Sequence, residues 1–301
     1  MIETAACLTI AAAQYPIEFL GDWQRYQEKL TGWVERAVAQ GARLLVFPEY
    51  ASLELASLFP PEVQRSLPGQ LEALQDCLPH YRELHRELAR RHGVHIVAGS
   101  FPVRQEDGSY RNRAYFFSPE GALDYQDKLL MTRFEDEQWG ISGSNVLKVF
   151  ETAFGRIGIT ICYDSEFPLI ARALVEAGAE LLLAPSCTET LAGYHRVRIG
   201  CQARALENQC YTVQAPTVGE APWSPAVDLN TGAAAIYAPP DQGLPDSGVV
   251  VQGELNVPQW VIGEIDLERV RRVRRDGNVL NHRDWPLQVQ RTGGEVVAVR
   301  L

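Results

Sequence analysis

Three stretches of this 301-residue chain place reactive side chains where buried strands run out. Glu49 follows the apolar run of "LLVFPEY", Lys128 sits in "YQDKLLMTRFEDEQWG", and Cys162 interrupts "GITICYDSEFP". Taken alone, a cysteine in an apolar run reads as a buried, inert thiol, since free Cys is among the most buried residue types. A carboxylate behind a buried run is harder to explain, because acidic side chains are seldom buried unpaired. A lysine supplies the partner charge, and a cation near a thiol lowers its pKa from about 8.5 toward neutrality. Chemistry thus links three sites that the sequence separates.

Those sites need elements to carry them. Ile157 to Ile161 is rich in β-branched residues and short enough for a buried strand, and Asp164-Ser165 before Phe167-Pro168 reads as a turn into a helix. Trp23, Tyr26, Leu30, Trp33, Val34, Ala37 and Val38 recur at helical spacing over 22–40, and "GARLLVFPEY" reads as a Gly stop followed by a strand. The pattern repeats: a helix near 70–92 before "VHIVAGSFPV", a hairpin around Pro119-Glu120-Gly121, a helix near 168–177 before "AELLLAPS", and a helix near 194–208 before "QCYTVQAP". Helices alternating with buried strands argue an α/β layered fold, closed by loops and hairpins in the Gly- and Pro-rich stretch 216–262. No low-complexity linker interrupts the chain, so residues 1–301 are expected to form one domain.

The totals exclude several roles. With 28 basic and 38 acidic residues the formal charge is -10, which argues against a nucleic-acid partner. The arginines of "RVRRVRR", 269–275, spread over several faces of a helix and read as a solvated structural helix. Cys7, Cys77, Cys162, Cys187, Cys201 and Cys210 show no CxxC pair and no metal-ligand spacing with the six histidines, so neither metal nor disulfide framework is indicated. Reduced thiols fit a cytoplasmic protein. The start "AACLTIAAAQYP" has no preceding Lys or Arg and reads as the first strand, and no stretch reaches the roughly 18 apolar residues of a membrane span.

"VFPE", "DK" before an apolar pair, and "CYDSEFP" together resemble the signatures of the nitrilase, or carbon-nitrogen hydrolase, superfamily. The likeness extends to "GAELLLAPS", "QARALENQCYTVQAP" and "GEIDLERVRR...NHRDWP", and so covers nearly the whole chain. It implies an αββα sandwich, four-layered (αββα-αββα) when dimerised, and a Glu-Lys-Cys triad at Glu49, Lys128 and Cys162. It further implies a cofactor-free, metal-free hydrolase for a small-molecule amide or nitrile, working as a homodimer or higher even oligomer with no nucleic-acid or membrane partner. Glu49 would take the thiol proton, Cys162 would form a thioester, and Lys128 with the Tyr163 N–H would hold the oxyanion. The resemblance also implies a second carboxylate near the lysine, for which "RFEDEQWG" offers Glu135, Asp136 and Glu137, with Glu135, seven residues after Lys128, favoured. The resemblance points to Glu166, Phe167, Ser186 and Cys187 for the substrate pocket. Tyr50 and Phe134 flank catalytic positions and complete that set.

Other readings remain open at this point. A glutaminase-type nucleophile elbow needs small flanking residues, whereas Ile161 and Tyr163 flank Cys162. A papain-like enzyme needs a histidine partner in context, and a non-catalytic scaffold would not need the triad. Amide cleavage is the first expectation, with nitrile or N-carbamoyl amide hydrolysis as alternatives. Apolar residues around most of 168–177 point to a dimer contact there.

Overall fold

The computed structural model describes residues 7–294 and 296–301. Ala5 and Ala6 of the expected first strand lie outside the described residues. Strand β1 (Cys7–Pro16) is followed by helix α1 (Trp23–Val38), strand β2 (Leu44–Val46), a short helix α2 (Pro61–Gln64), helix α3 (Leu67–His92) and strand β3 (His95–Arg104). The hairpin β4 (Tyr110–Phe117) and β5 (Leu123–Asp127) follows, then β6 (Val149–Glu151) and β7 (Arg156–Ile159). Helix α4 (Pro168–Glu176), β8 (Leu181–Ser186), helix α5 (Leu191–Asn208) and β9 (Tyr211–Glu220) continue the alternation. The closing segment holds β10 (Leu229–Asn230), β11 (Ala235–Tyr237), β12 (Val249–Gln252), β13 (Gln259–Asp266), α6 (Leu267–Asp276) and α7 (Asn281–Thr292).

The strands form two layers that meet at a narrow seam. One layer runs β5-β4-β3-β2-β1, with β13 antiparallel along β1 from Cys7 to Gln14. The other runs β9-β8-β7-β6, with β11 and β12 added beside β9. Among the described residues, the strand pairing between them is made by the tip of β1, Tyr15 and Pro16 pairing with Thr217 and Val218 of β9. Period-two alternation explains the layering: Leu8, Ile10 and Ala12 point into a core shared with Ile157, Leu181 and Val213 of the other sheet. Ala11, Ala13 and Tyr15 face a second core with Tyr26, Leu30 and Trp33 of α1 and Leu74, Tyr81 and Leu88 of α3. Leu182 packs instead under Ala171, Leu174 and Val175 of α4. The result is the expected αββα sandwich.

Local signals set the helices. Asp22, Ser66 and Thr190 cap α1, α3 and α5 by accepting the backbone N–H of Arg25, Gly69 and Gly193. Gly93, at φ 64°, ends α3. The arginine run is less solvated than its sequence implies. Arg271 forks onto Glu180 at 2.6 and 2.8 Å, and the Arg274 Nε donates to the Gln209 carbonyl at 2.8 Å, so α6 is strapped across the second layer. Among the described residues, no helix is long and apolar enough to cross a membrane.

The apolar belt of α4 also needs correction. Leu174 is 1% exposed and Ala171 and Val175 are buried within the subunit, whereas Leu169 is 72% exposed. On α5, Leu191, Ile199 and Leu206 are the large apolar residues turned outward. Leu169 and Ile199 are thus outward apolar residues of these helices, and Leu174 is core.

His85 of α3 is fully buried, its Nδ1 donating to the Tyr81 carbonyl at 2.8 Å. Burial pushes its pKa down to about 4, against 6.5 for a free imidazole. Between these values the unfolded chain binds the extra proton, so the stability that neutral His85 contributes above pH 6.5 is lost as pH falls toward 4. At pH 4.5 this amounts to about 2–3 kcal/mol. His85→Gln, which keeps a donor for Tyr81, should flatten that part of the slope. Urea midpoints of both proteins at pH 7 and 4.5 measure it, and parallel losses in the two would exclude the role.

Candidate active site

The reactive side chains gather where parallel strands end, the side of an α/β sheet at which ligands bind. Glu49 lies three residues past β2, in a loop that turns at Tyr50 (φ 56°) into a 3-10 helix, Ala51–Leu58. That loop crosses β3 at Gly99: a Cβ there would sit 2.1 Å from the Pro48 carbonyl oxygen, so only glycine allows the approach. Behind it the buried Glu54 accepts the Tyr15 hydroxyl at 2.8 Å and pairs with the Lys29 ammonium, fixing the helix to β1 and α1.

Lys128 follows β5, and its ammonium donates to Glu49 Oε1 at 2.8 Å and Glu135 Oε2 at 2.6 Å. Glu135 lies on a single wide π turn, Phe134–Trp139, and is buried, while Asp136 and Glu137 are exposed. Thr132 donates to Glu135 through both its N–H and its hydroxyl at 2.9 Å, and Tyr50 through its hydroxyl at 2.7 Å. Asn112 bridges the carboxylates: its amide donates to Glu49 Oε1 at 2.8 Å and to Glu135 Oε1 at 3.1 Å. Sequence reading missed Asn112. The available signal was an amide inside a strand, where asparagine is disfavoured.

Cys162 is not within its strand, which ends at Ile159; it opens a 3-10 turn, Cys162–Glu166, at φ 46°. A non-glycine residue with this backbone is uncommon and strained, and persists only where the surroundings hold it. Here the Ser165 hydroxyl donates to the Cys162 carbonyl at 2.6 Å and Arg204 donates to the Ser165 carbonyl at 3.3 Å. Gly200 of α5 lets that helix press on the turn, since a Cβ would meet the Ser165 oxygen at 2.8 Å. Asp164 links the turn to the lysine loop by accepting the N–H groups of Leu129 and Leu130. The Cys162 thiol donates to the Cys187 carbonyl at 3.8 Å, and the Cys187 N–H donates to Glu49 Oε2 at 2.9 Å. Five chain segments, around residues 49, 112, 128–135, 162 and 187, thus converge on one buried cluster.

The charges are unequal: two carboxylates share one ammonium. Burial raises the Glu49 pKa, and the Glu135 charge adds to this against the opposing pull of Lys128. Burial would raise Glu135 too, but Lys128 and the bonds from Thr132 and Tyr50 outweigh it and hold that carboxyl below its ordinary value. Burial works against the Lys128 ammonium, yet Glu135 and Glu49 keep it firmly protonated. The expected acidification of the thiol is reversed: burial and the Glu49 carboxylate push Cys162 well above its usual range, and Lys128 cannot compensate because two anions already claim it. These shifts favour a neutral thiol and make Glu49 the more basic of the two carboxylates.

A cavity of about 570 Å³ opens onto this cluster. Cys162, Tyr163, Phe134, Glu166 and Cys187 border it, together with Thr132 and several residues that sequence reading did not select: Arg133, Thr188, Glu189, Arg196 and Asp228. Three expected pocket residues do not border it. Tyr50 is buried behind the wall on Glu135, Phe167 packs edge-on against the Tyr163 ring, and Ser186 points to the Ala215 carbonyl. No group of three or more His, Cys, Asp or Glu side chains among the described residues could hold a metal ion.

Residues 9–275 match the carbon-nitrogen hydrolase family. The "Probable hydrolase YhcX" of Bacillus subtilis (strain 168) is 35% identical over 282 residues, 94% of this chain and 54% of that protein, so the chain spans about half its length. The omega-amidase NIT2-B of Xenopus laevis is 24% identical, covering 81% of this chain and 87% of that protein. Saccharomyces cerevisiae Nit3, a member of branch 10 of the nitrilase superfamily, superposes with a TM-score of 0.70 at 19% identity over 91% of this chain and 95% of its own. An amidase from Nesterenkonia sp. gives a TM-score of 0.67 at 21% identity over 92% and 96%. These structural likenesses bear on the fold.

Proposed function

The chain belongs to the carbon-nitrogen hydrolase family, and from that premise we propose that it hydrolyses a non-peptide amide of a small molecule through a thioester on Cys162. The observation that carries this reading is the juxtaposition of the Cys162 turn, held at positive φ, with Glu49, Lys128 and Glu135 in one buried cluster. The amidase names of several relatives favour amide over nitrile.

The two carboxylates are pushed in opposite directions, which divides their work. Glu49, raised, takes the thiol proton as sulfur adds to the amide carbon. Glu135, lowered, stays ionised and holds Lys128. The oxyanion is met by the Lys128 ammonium and the Tyr163 N–H, which lies in the first turn of its 3-10 helix, where backbone donors lack intrahelical acceptors. Glu49-H then protonates the departing nitrogen, ammonia leaves, and a thioester remains. Water adds to that thioester as Glu49 takes its proton; collapse releases the carboxylic acid and returns the proton to sulfur. An ammonia-release screen across primary amides, ω-amides, N-carbamoyl compounds and nitriles tests the reading. Turnover confined to nitriles would refute it.

The oligomer enters the same proposal. Leu169 and Ile199 stand exposed on the two helices that brace the nucleophile turn, and a contact between copies would cover them. Light scattering at low micromolar concentration should give twice the chain mass or an even multiple, and Leu169→Asp with Ile199→Asp should reduce it. A monomeric, fully active wild type would refute the dimer.

A further inference from the structure

We infer that the cavity selects primary amides whose acyl chain ends in a cation, an ammonium or guanidinium, and that Glu166 is the residue that receives it. This rests on the amide-hydrolase reading and adds the substrate class. Glu166 borders the cavity four positions past Cys162 on the same turn, so its carboxylate is fixed relative to the nucleophile. Its side chain is only 21% exposed, and burial raises its pKa, so this anion is incompletely satisfied. Its ion-pair partner is Arg196 at 3.5 Å, a long side chain that is itself 61% exposed. Such a pair is weak and readily opened. An incoming ammonium can replace the guanidinium at the carboxylate while Arg196 swings to water.

The surrounding charge points the same way. Behind the lining, out of contact with the cavity itself, Glu49 and Glu135 share Lys128. In the wall, three anions, Glu166, Glu189 and Asp228, stand against two cations, Arg133 and Arg196, and Arg133 pairs with Glu137 at the surface. A carboxylate-tipped acyl chain would meet this excess of anions, whereas a cationic one would relieve it.

The test uses the whole protein and three primary amides of matched chain length ending in ammonium, methyl or carboxylate. The ammonium amide should have the highest kcat/KM and the carboxylate amide the lowest. A charge-assisted hydrogen bond made remote from the reacting carbon acts mainly on KM, and the ammonium-to-methyl ratio should be on the order of 10–100. Glu166→Gln should collapse that ratio toward one whatever the absolute rate, and Glu166→Lys should move the preference toward the carboxylate amide. A carboxylate preference in the wild type, or a ratio untouched by Glu166→Gln, overturns the inference. If none of the three is cleaved while other amides release ammonia, the inference fails and the hydrolase reading stands. If no amide in the wider screen releases ammonia, both fail.

Discussion

Cys162→Ala is expected to reduce amide hydrolysis by roughly 10⁶-fold, the scale seen when a hydrolase loses its nucleophile. The fold should survive, because the substitution removes one sulfur from a turn whose backbone is held by Ser165 and Arg204. Two measurements separate chemistry from collapse. The variant should keep the wild-type urea midpoint, and intact mass spectrometry with a slow substrate should show an acyl adduct on wild type and none on the variant. Substantial hydrolysis by a purified, folded Cys162→Ala protein would end the thioester mechanism. Cys7, Cys77, Cys201 and Cys210 lie away from the cavity wall and should be dispensable.

Glu49→Gln should slow acylation by roughly 10²–10⁴-fold, the range for loss of general acid-base catalysis. The electrostatics add a second outcome of opposite sign. The Glu49 carboxylate is one cause of the raised thiol pKa, so its removal leaves Lys128 acting on the sulfur with one carboxylate fewer. The variant thiol should titrate at lower pH than that of the wild type and be alkylated faster by iodoacetamide near neutrality, even as hydrolysis falls. A merely structural Glu49 would not produce that divergence. If hydrolysis is retained, the base must be sought at Glu135.

The layered fold was legible because its signals are local: apolar periodicity, capping residues, and glycines that stop helices. Glu49, Lys128 and Cys162 were legible because each has its own flanking sequence. Glu135 could be chosen among three acids only by that resemblance, and the structure separates them physically, since Asp136 and Glu137 face water. Asn112 escaped notice because its importance comes from cross-strand register, which places it over two carboxylates distant in sequence. The far wall of the cavity, around Pro225 to Leu229, comes from a stretch that reads only as loop. The direction of the thiol shift was hidden for a different reason. One cation near a thiol predicts acidification, but burial of the thiol, with the Glu49 carboxylate beside it, outweighs that cation.

The narrow seam between the sheets has a consequence for how activity is lost. Glu49, Asn112 and Lys128 follow or lie in strands of one sheet, while Cys162 and Cys187 follow strands of the other. Attack on the substrate therefore demands that both sheets be docked face to face. Turnover is then a reporter of docking and not of secondary structure. In a urea series, activity should disappear at lower denaturant than far-ultraviolet circular dichroism, with the gap measuring how loosely the halves are coupled. Superimposed curves would mean that the sandwich opens and melts as one cooperative unit.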